Sequence, residues 1–274
     1  MREVVIVDGA RTAFGRMGGA LRVYTPVELA GMTMKGLCEK TEILKKGKVD
    51  AVFVGSASGD LNTHNFARYA GLLAGLPYET SATFLEMQCG SSIACINNAA
   101  LQIKEGYLDV AICGGAEAHS QTYYKYSTAV EPYKGIAPMP APLKLAPTKE
   151  DDISMIEVSD LMARRWGITR EACDDFALRS QRRAAEAIEK GYFEEEILPL
   201  QVKYSRKGEA VTVDKDEHPR PQTDLAGLAK LRPVNEGYPS GQRLRSILRS
   251  RPKASGRRAY AVYNRRSGVH GNTF

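Results

Sequence analysis

The chain has 274 residues, of which 43% are hydrophobic, enough for one large domain or two smaller ones. Its five cysteines are irregularly spaced and its four histidines are scattered, which argues against a disulfide framework and against a zinc site. No apolar run reaches membrane-spanning length, so we expect a cytoplasmic protein without a membrane or metal partner.

The charge is unevenly distributed. The formal net charge is +6, yet residues 238–274 hold eight arginines, one lysine and no acidic residue, so residues 1–237 carry a net charge of −3. A basic tail can bind nucleic acid, but few aromatic residues lie between these arginines. We therefore expect no nucleic-acid partner.

The N-terminal residues predict a strand, a loop and a helix. The β-branched run Val4–Val7 is typical of a buried strand. Thr25 as N-cap, Pro26 at the first helical position and Glu28 completing a capping box predict a helix that begins at residue 26.

Strands then alternate with helices as far as residue 115. Further strands are predicted at 49–54, 83–88 and 109–115, and helices at 64–77 and 91–107. This order predicts an α/β fold with a parallel sheet and right-handed crossovers.

The pattern changes after Gly115. Residues 127–152 contain five of the 13 prolines and predict an extended excursion. Helices are predicted at 154–167 and 169–191, and two short strands within 196–204 and 209–217 predict a hairpin. This region is interpreted as a mixed insertion.

Cys89 lies at a predicted strand-to-helix junction. The first-turn amides of Gly90 and Ser91 and the positive end of the helix dipole stabilise a thiolate, and the same amides can donate to an acyl oxyanion. A free cysteine is also a common buried residue. From the residues alone, a nucleophile and a structural cysteine remain open alternatives.

Residues 88–117, QCGSSIACINNAALQIKEGYLDVAICGGAE, resemble the nucleophile segment of the thiolases, which exchange acyl groups between coenzyme A (CoA) and an enzyme thioester. Resemblance extends, in order, from residue 2 to about 236. It includes VIVDGARTAFGRMGGAL at 5–21, NFARYAGLLAGLP at 65–77 and DEHPRPQTDLAGLAKLRP at 216–233. It implies that Cys89 is the counterpart of the acyl-accepting cysteine.

The resemblance also implies an architecture. Thiolases have two βαβαβαββ halves that form an αβαβα core, with an inserted loop domain that holds CoA. We therefore expect an N-terminal core half at 1–118, a CoA-binding loop domain at 119–237 and a disordered basic tail outside the family at 238–274. The chain would be the first βαβαβ half with its loop domain, and the second half of the core would be missing.

The resemblance further implies two CoA-binding residues. Met155 matches a methionine that lines the pantetheine channel, although core packing is its alternative explanation. Arg220 matches a basic residue near the nucleotide, although a solvated surface arginine is equally consistent. The substrates would be acetyl-CoA or acyl-CoA, with no cofactor and no metal, and the intact family forms homodimers or homotetramers.

Two catalytic groups of the family have no match in this sequence. A base histidine in Gly-His-Pro and a second cysteine in Cys-x-Gly-Gly-Gly belong to the second half, and the abrupt composition change near residue 238 is what a reading-frame shift and early stop produce. We expect a thiolase-type acyltransferase (acetyl-CoA C-acyltransferase) that forms or cleaves 3-ketoacyl-CoA such as acetoacetyl-CoA, truncated and weak or inactive. The alternative is a catalytically dead remnant that binds only CoA or a partner subunit.

Overall fold

The computed structural model describes residues 2–127, 131–135, 137–141, 143–149, 151–205 and 207–234. Their contacts form two compact units, one from described residues within 1–140 and 177–224, the other from those within 141–176 and 225–234. These units do not coincide with the expected boundaries at 118 and 237, and that division stays a prediction. The expectation of a disordered tail at 238–274 lies outside the described residues.

A three-stranded parallel sheet forms the centre of the first unit. Its strands are β1 (Ala51–Gly55), β2 (Ser81–Leu85) and β3 (Ala111–Gly115), in the order β2-β1-β3. Ala51 is in register with Ser81 on one side and with Ala111 on the other. The predicted parallel α/β sheet is confirmed.

Helices cover both faces of this sheet. They are α1 (Pro26–Thr41), the short α2 (Ile43–Lys46), α3 (Phe66–Leu73) and α4 (Ser91–Lys104). Val52 and Val54 pack with α1 and α3, whereas Phe53 packs with Cys95 of α4. Because side chains alternate along a strand, the central strand β1 is buried on both faces.

The predicted start of α1 is confirmed in detail. The Glu28 amide donates to Thr25 Oγ1 at 3.3 Å, and the Thr25 amide donates to Glu28 Oε2 at 2.8 Å. This capping box satisfies donors that have no partner inside the helix.

The prediction of a buried strand at residues 4–7 is wrong. Val5, Ile6 and Val7 are 69%, 85% and 88% exposed, and these residues form no strand. A strand needs a neighbour to accept and donate its backbone hydrogen bonds. Among the described residues none pairs with this run, so β-branched composition alone does not create a strand here.

One face of α4 is also exposed. Ile93, Ile96 and Leu101, here called the outer face of α4, are 61%, 38% and 63% exposed. The opposite face of the helix buries Cys95 and Ala99 against the sheet. The helix is therefore apolar on two sides, of which only one is covered by described residues.

Among the remaining elements, two helices and two short strands match the predictions, whereas a third short helix and two 3-10 turns were not predicted. They are α5 (Met155–Trp166), α6 (Arg170–Glu189), β4 (Leu200–Val202), β5 (Val211–Val213) and α7 (Leu225–Ala229), with short 3-10 turns at His119–Gln121 and Pro132–Lys134. Strands β4 and β5 pair antiparallel, which confirms the predicted hairpin. No helix of the described ranges combines the length and apolarity that crossing a bilayer requires.

Candidate active site

Cys89 lies in the turn that joins β2 to α4. The strand ends at Leu85 and the helix begins at Ser91, so the predicted strand-to-helix junction is confirmed. This turn sits at the carboxyl end of a parallel strand, the edge at which α/β sheets hold their ligands. The Cys89 side chain is exposed.

The turn is held in a sharp conformation. Gln88 has a φ of +49°, in the left-handed region that a residue with a side chain seldom adopts. The buried Ser91 hydroxyl accepts from the Met87 amide at 2.9 Å and donates to the Gln88 carbonyl at 2.6 Å. Ser91 therefore fixes the backbone on both sides of Gln88 and presents Cys89 outward.

The amides expected to face an oxyanion are engaged within this turn. The Gly90 amide donates to the Met87 carbonyl at 3.0 Å and the Ser91 amide to the Gln88 carbonyl at 3.1 Å. The following amides of the first turn, those of Ser92 and Ile93, have no hydrogen-bond partner in the part of the chain that the structure describes. Helix starts leave such donors open, so the unoccupied donors beside Cys89 lie one or two residues later than expected.

Two glycines let α4 begin directly against the sheet. A Cβ on Gly55, the last residue of β1, would lie 2.7 Å from the Ser91 backbone carbon. A Cβ on Gly115, the last residue of β3, would lie 2.3 Å from Ser92 Oγ and 2.5 Å from the Gly55 carbonyl oxygen. The sequence analysis did not include either glycine in the site. A glycine at the end of a strand, as in AVFVG and AICGG, nevertheless indicates that another part of the backbone packs closely there.

A carboxylate lies at the same edge of the sheet. Glu117 Oε1 accepts from the Ser56 hydroxyl at 2.8 Å and from the amides of Ala57 and Ser58. These contacts hold the loop that follows β1. The Glu117 carboxylate therefore fixes this loop at the edge of the sheet.

The other cysteines differ from Cys89 in their surroundings. Burial raises the pKa of Cys95, and burial together with the nearby Cys95 raises the pKa of Cys113 to about 11. Cys38 is buried as well, while Cys173 is exposed. No side chain among the described residues hydrogen-bonds to Cys89 Sγ. Cys89 is therefore the exposed thiol at the sheet edge, with no described base in contact.

The two predicted CoA-binding residues belong to different units. Met155 is the first residue of α5, after the N-cap Ser154, and is 67% exposed, so core packing does not explain it. Arg220 is exposed, its amide donates to Gln181 Oε1 at 2.6 Å, and its carbonyl accepts from the Thr223 hydroxyl at 2.7 Å. Both side chains are accessible to a ligand.

Comparison with known proteins decides the family. Residues 4–238, most of the chain, match the family described as Thiolase, N-terminal domain. The chain belongs to the thiolase family. Cys89, Met155 and Arg220 all lie within the matched residues of this thiolase chain.

Individual thiolases agree with this assignment. The chain is 38% identical over 249 residues to a beta-ketoadipyl-CoA thiolase of Acinetobacter baylyi, covering 85% of this chain and 60% of that protein. It is 34% identical to a mitochondrial 3-ketoacyl-CoA thiolase of Bos taurus, covering 85% and 59%. Its structure is similar to that of the Bacillus anthracis acetyl-CoA acetyltransferase, with a TM-score of 0.74 at 33% identity, covering 82% and 57%. The chain thus spans about 60% of the length of the relatives it matches, and the N-terminal half of the thiolase fold is present.

Proposed function

We propose that this thiolase chain accepts an acyl group from acyl-CoA as a thioester on Cys89. The single observation that carries the proposal is the exposed Cys89 at the start of α4, in a turn held by Ser91 at the carboxyl edge of a parallel sheet. A nucleophile needs this combination of access, fixed geometry and nearby amide donors.

The proposed step conserves atoms and charge. The Cys89 thiolate forms a bond to the acyl carbonyl carbon, and the carbonyl oxygen becomes an oxyanion that meets donors at the start of α4. Collapse of this intermediate breaks the carbon–sulfur bond to CoA. The leaving CoA thiolate then takes up the proton that Cys89 released.

We propose Gly90 and Ser91, or the open amides of Ser92 and Ile93, as the oxyanion donors. The first pair would have to exchange their bonds to Met87 and Gln88, and the second pair is already unoccupied. Because backbone amides cannot be removed by side-chain substitution, the donors are best separated by locating a bound acyl oxygen in a structure of the acetylated protein.

We propose further that the family reaction is the formation or cleavage of a 3-ketoacyl-CoA, with acetoacetyl-CoA as the first substrate to test. In cleavage, Cys89 attacks the 3-keto carbon and the bond between carbons 2 and 3 breaks, so carbon 2 must be protonated. Protonation of carbon 2 needs an acidic group, and the described residues place no such group in contact with Cys89. We therefore expect acyl transfer to Cys89 to be faster than carbon–carbon cleavage.

Incubation with acetyl-CoA followed by intact mass spectrometry tests the proposal. One acetyl group per chain should appear on the wild type and on Cys173→Ala, which removes the exposed cysteine of α6. It should be missing from Cys89→Ala. CoA binding without an adduct would favour the alternative of a binding-only remnant. Equal acetylation of Cys89→Ala would contradict the assignment of the nucleophile.

A further inference from the structure

The outer face of α4, made of Ile93, Ile96 and Leu101, is an uncovered apolar surface. These side chains are 61%, 38% and 63% exposed, whereas Cys95 and Ala99 on the opposite side of the helix are 0% and 3% exposed. The described residues therefore cover one side of α4 only. A contiguous exposed apolar surface marks an interaction site, so the outer face calls for an occupant.

Asn97 lies at the centre of the outer face. Successive residues of a helix are rotated by about 100°, so the residues two positions before and after Asn97 point almost directly away from it. Those residues are Cys95 and Ala99, which are buried, and Asn97 is exposed. Ile93 and Leu101 lie about one turn before and one turn after Asn97. The outer face is thus arranged symmetrically about residue 97.

The residues around Asn97 make this face complementary to a second copy of itself. Ile93 and Leu101 are each four positions from Asn97, and Ala94 and Ala100 are each three positions from it. If two copies of α4 lie antiparallel about a twofold axis at Asn97, Ile93 of one copy meets Leu101 of the other. Ala94 then meets Ala100, and these small side chains let the two helices approach closely. A twofold contact requires such a self-complementary surface.

The side chain of Asn97 suits a position on the axis. Its amide group both donates and accepts hydrogen bonds, so the two copies of Asn97 can bond to each other. An asparagine paired in this way inside an apolar helix contact fixes the register of the two helices. The polar centre of the face therefore favours one defined alignment over sliding of one helix along the other.

The charges at the two ends of α4 favour an antiparallel arrangement. Lys104 is the last residue of the helix, and Glu86 precedes its first turn, where the carboxylate accepts from the Gln88 amide at 2.6 Å. Both residues are exposed, and residues 87–103 between them carry no charge. Antiparallel copies bring each Lys104 toward the Glu86 of the other copy, whereas parallel copies would bring like charges together. The dipoles of the two helices are also opposed in the antiparallel pair.

We propose that the outer face of α4 binds a second copy of this chain, with the two helices antiparallel about a twofold axis at Asn97. Residues 238–274 of the same chain are the competing occupant, but they hold eight arginines, one lysine and no acidic residue. Arginines buried on an uncharged face would lack partners, so this composition fits the face poorly. A contact between single helices is small, and we expect a weak, reversible dimer that forms without CoA.

Disulfide cross-linking tests the position of the axis. In a full-length background with Cys89→Ala and Cys173→Ala, which removes the two exposed cysteines of the described chain, Asn97→Cys should form a covalent dimer on mild oxidation. Helix axes about 8–10 Å apart place two residues on the axis within disulfide reach. Lys104→Cys is the matched control, because its two copies would lie about 21 Å apart along the helices. Its dimer yield should be lower by about tenfold or more.

A mixed cross-link tests the register without changing Asn97. Ile93→Cys and Leu101→Cys should cross-link when the two variants are mixed and oxidised, whereas each variant alone should not, because its two copies lie about 12 Å apart along the helices. Cross-linking of either variant alone, or equal yields from Asn97→Cys and Lys104→Cys, would overturn the proposed axis.

A charge reversal tests the antiparallel direction by sedimentation equilibrium. Lys104→Glu and Glu86→Lys should each raise the dissociation constant of the dimer by about fivefold, and the double variant, which restores opposite charges, should recover it. A double variant that associates no better than the single variants would overturn the charge pairing. A wild type that stays monomeric, with no cross-link from Asn97→Cys, would mean that residues 238–274 or nothing covers the face, and would overturn the proposal.

Discussion

Replacing Gly55 by alanine would test how tightly α4 is fitted to the sheet. The added Cβ would lie 2.7 Å from the Ser91 backbone carbon and Cβ and 2.9 Å from its carbonyl oxygen. Carbon atoms pack at about 3.5–4.0 Å, so Ser91 or the end of β1 must move by about 1 Å. β1 is buried along its whole length, which leaves little room for that movement.

The expected cost follows from this overlap. Overpacking of this kind costs about 1–3 kcal/mol, and backbone contact on a buried strand places Gly55→Ala at about 2 kcal/mol. For a chain of this size, the melting temperature should then fall by about 4–8 °C. Thermal unfolding followed by circular dichroism measures the shift, and the alkylation rate of Cys89 reports whether its turn has moved.

Gly114→Ala provides the matched control. Gly114 lies in the adjacent strand β3, and an added Cβ there meets nothing within 4 Å. Its melting temperature should stay the same or rise slightly, because alanine reduces the freedom of the unfolded chain. If Gly55→Ala were as stable as Gly114→Ala and left Cys89 alkylation unchanged, the close fit of α4 against β1 would be refuted.

Three further predictions concern thiols, acid and association. Iodoacetamide near neutral pH should modify the two exposed cysteines, Cys89 and Cys173, and spare the three that burial keeps protonated; peptide mapping would refute this by finding label on Cys113. Although burial raises the pKa of Asp216, hydrogen bonds from Arg11 and the Phe14 amide hold its folded pKa below the ordinary value of 3.8. Its stabilising contribution is therefore full above pH 3.8 and is lost as the pH falls through the lower folded pKa. Unfolding curves of Asp216→Asn should lack this part of the acid dependence. Identical acid profiles for the variant and the wild type would contradict the prediction. The exposed outer face of α4 should make association concentration-dependent in analytical ultracentrifugation, and Ile93→Glu should raise the monomer fraction; a wild type that is monomeric at every concentration would contradict this.

Local signals in the sequence predicted the elements that make their own contacts. The Thr25 capping box, the apolar run of β1 and the junction at Cys89 all depend on residues within one turn or one strand. The run at 4–7 has equally strong β-branched composition, yet it forms no strand, because pairing depends on a neighbouring segment.

The detailed geometry of the site could not be predicted from the sequence, for a similar reason. A residue with a left-handed φ at Gln88 has no compositional sign, since glycine or asparagine is the usual choice there. The engagement of the Gly90 and Ser91 amides follows from that turn. The guanidinium of Arg11 pairs with the carboxylate of Asp216, 205 positions away, and no local sequence pattern predicts such a contact.

Stoichiometric release of CoA tests the central claim, that Cys89 is an acyl-accepting nucleophile, most directly. On mixing the chain with acetyl-CoA, the account predicts a burst of one CoA per chain, with the acetyl group recovered on the peptide that contains Cys89. Cys89→Ala should release none, and Cys173→Ala should match the wild type. The absence of a burst from the wild type, or an equal burst from Cys89→Ala, would contradict the account.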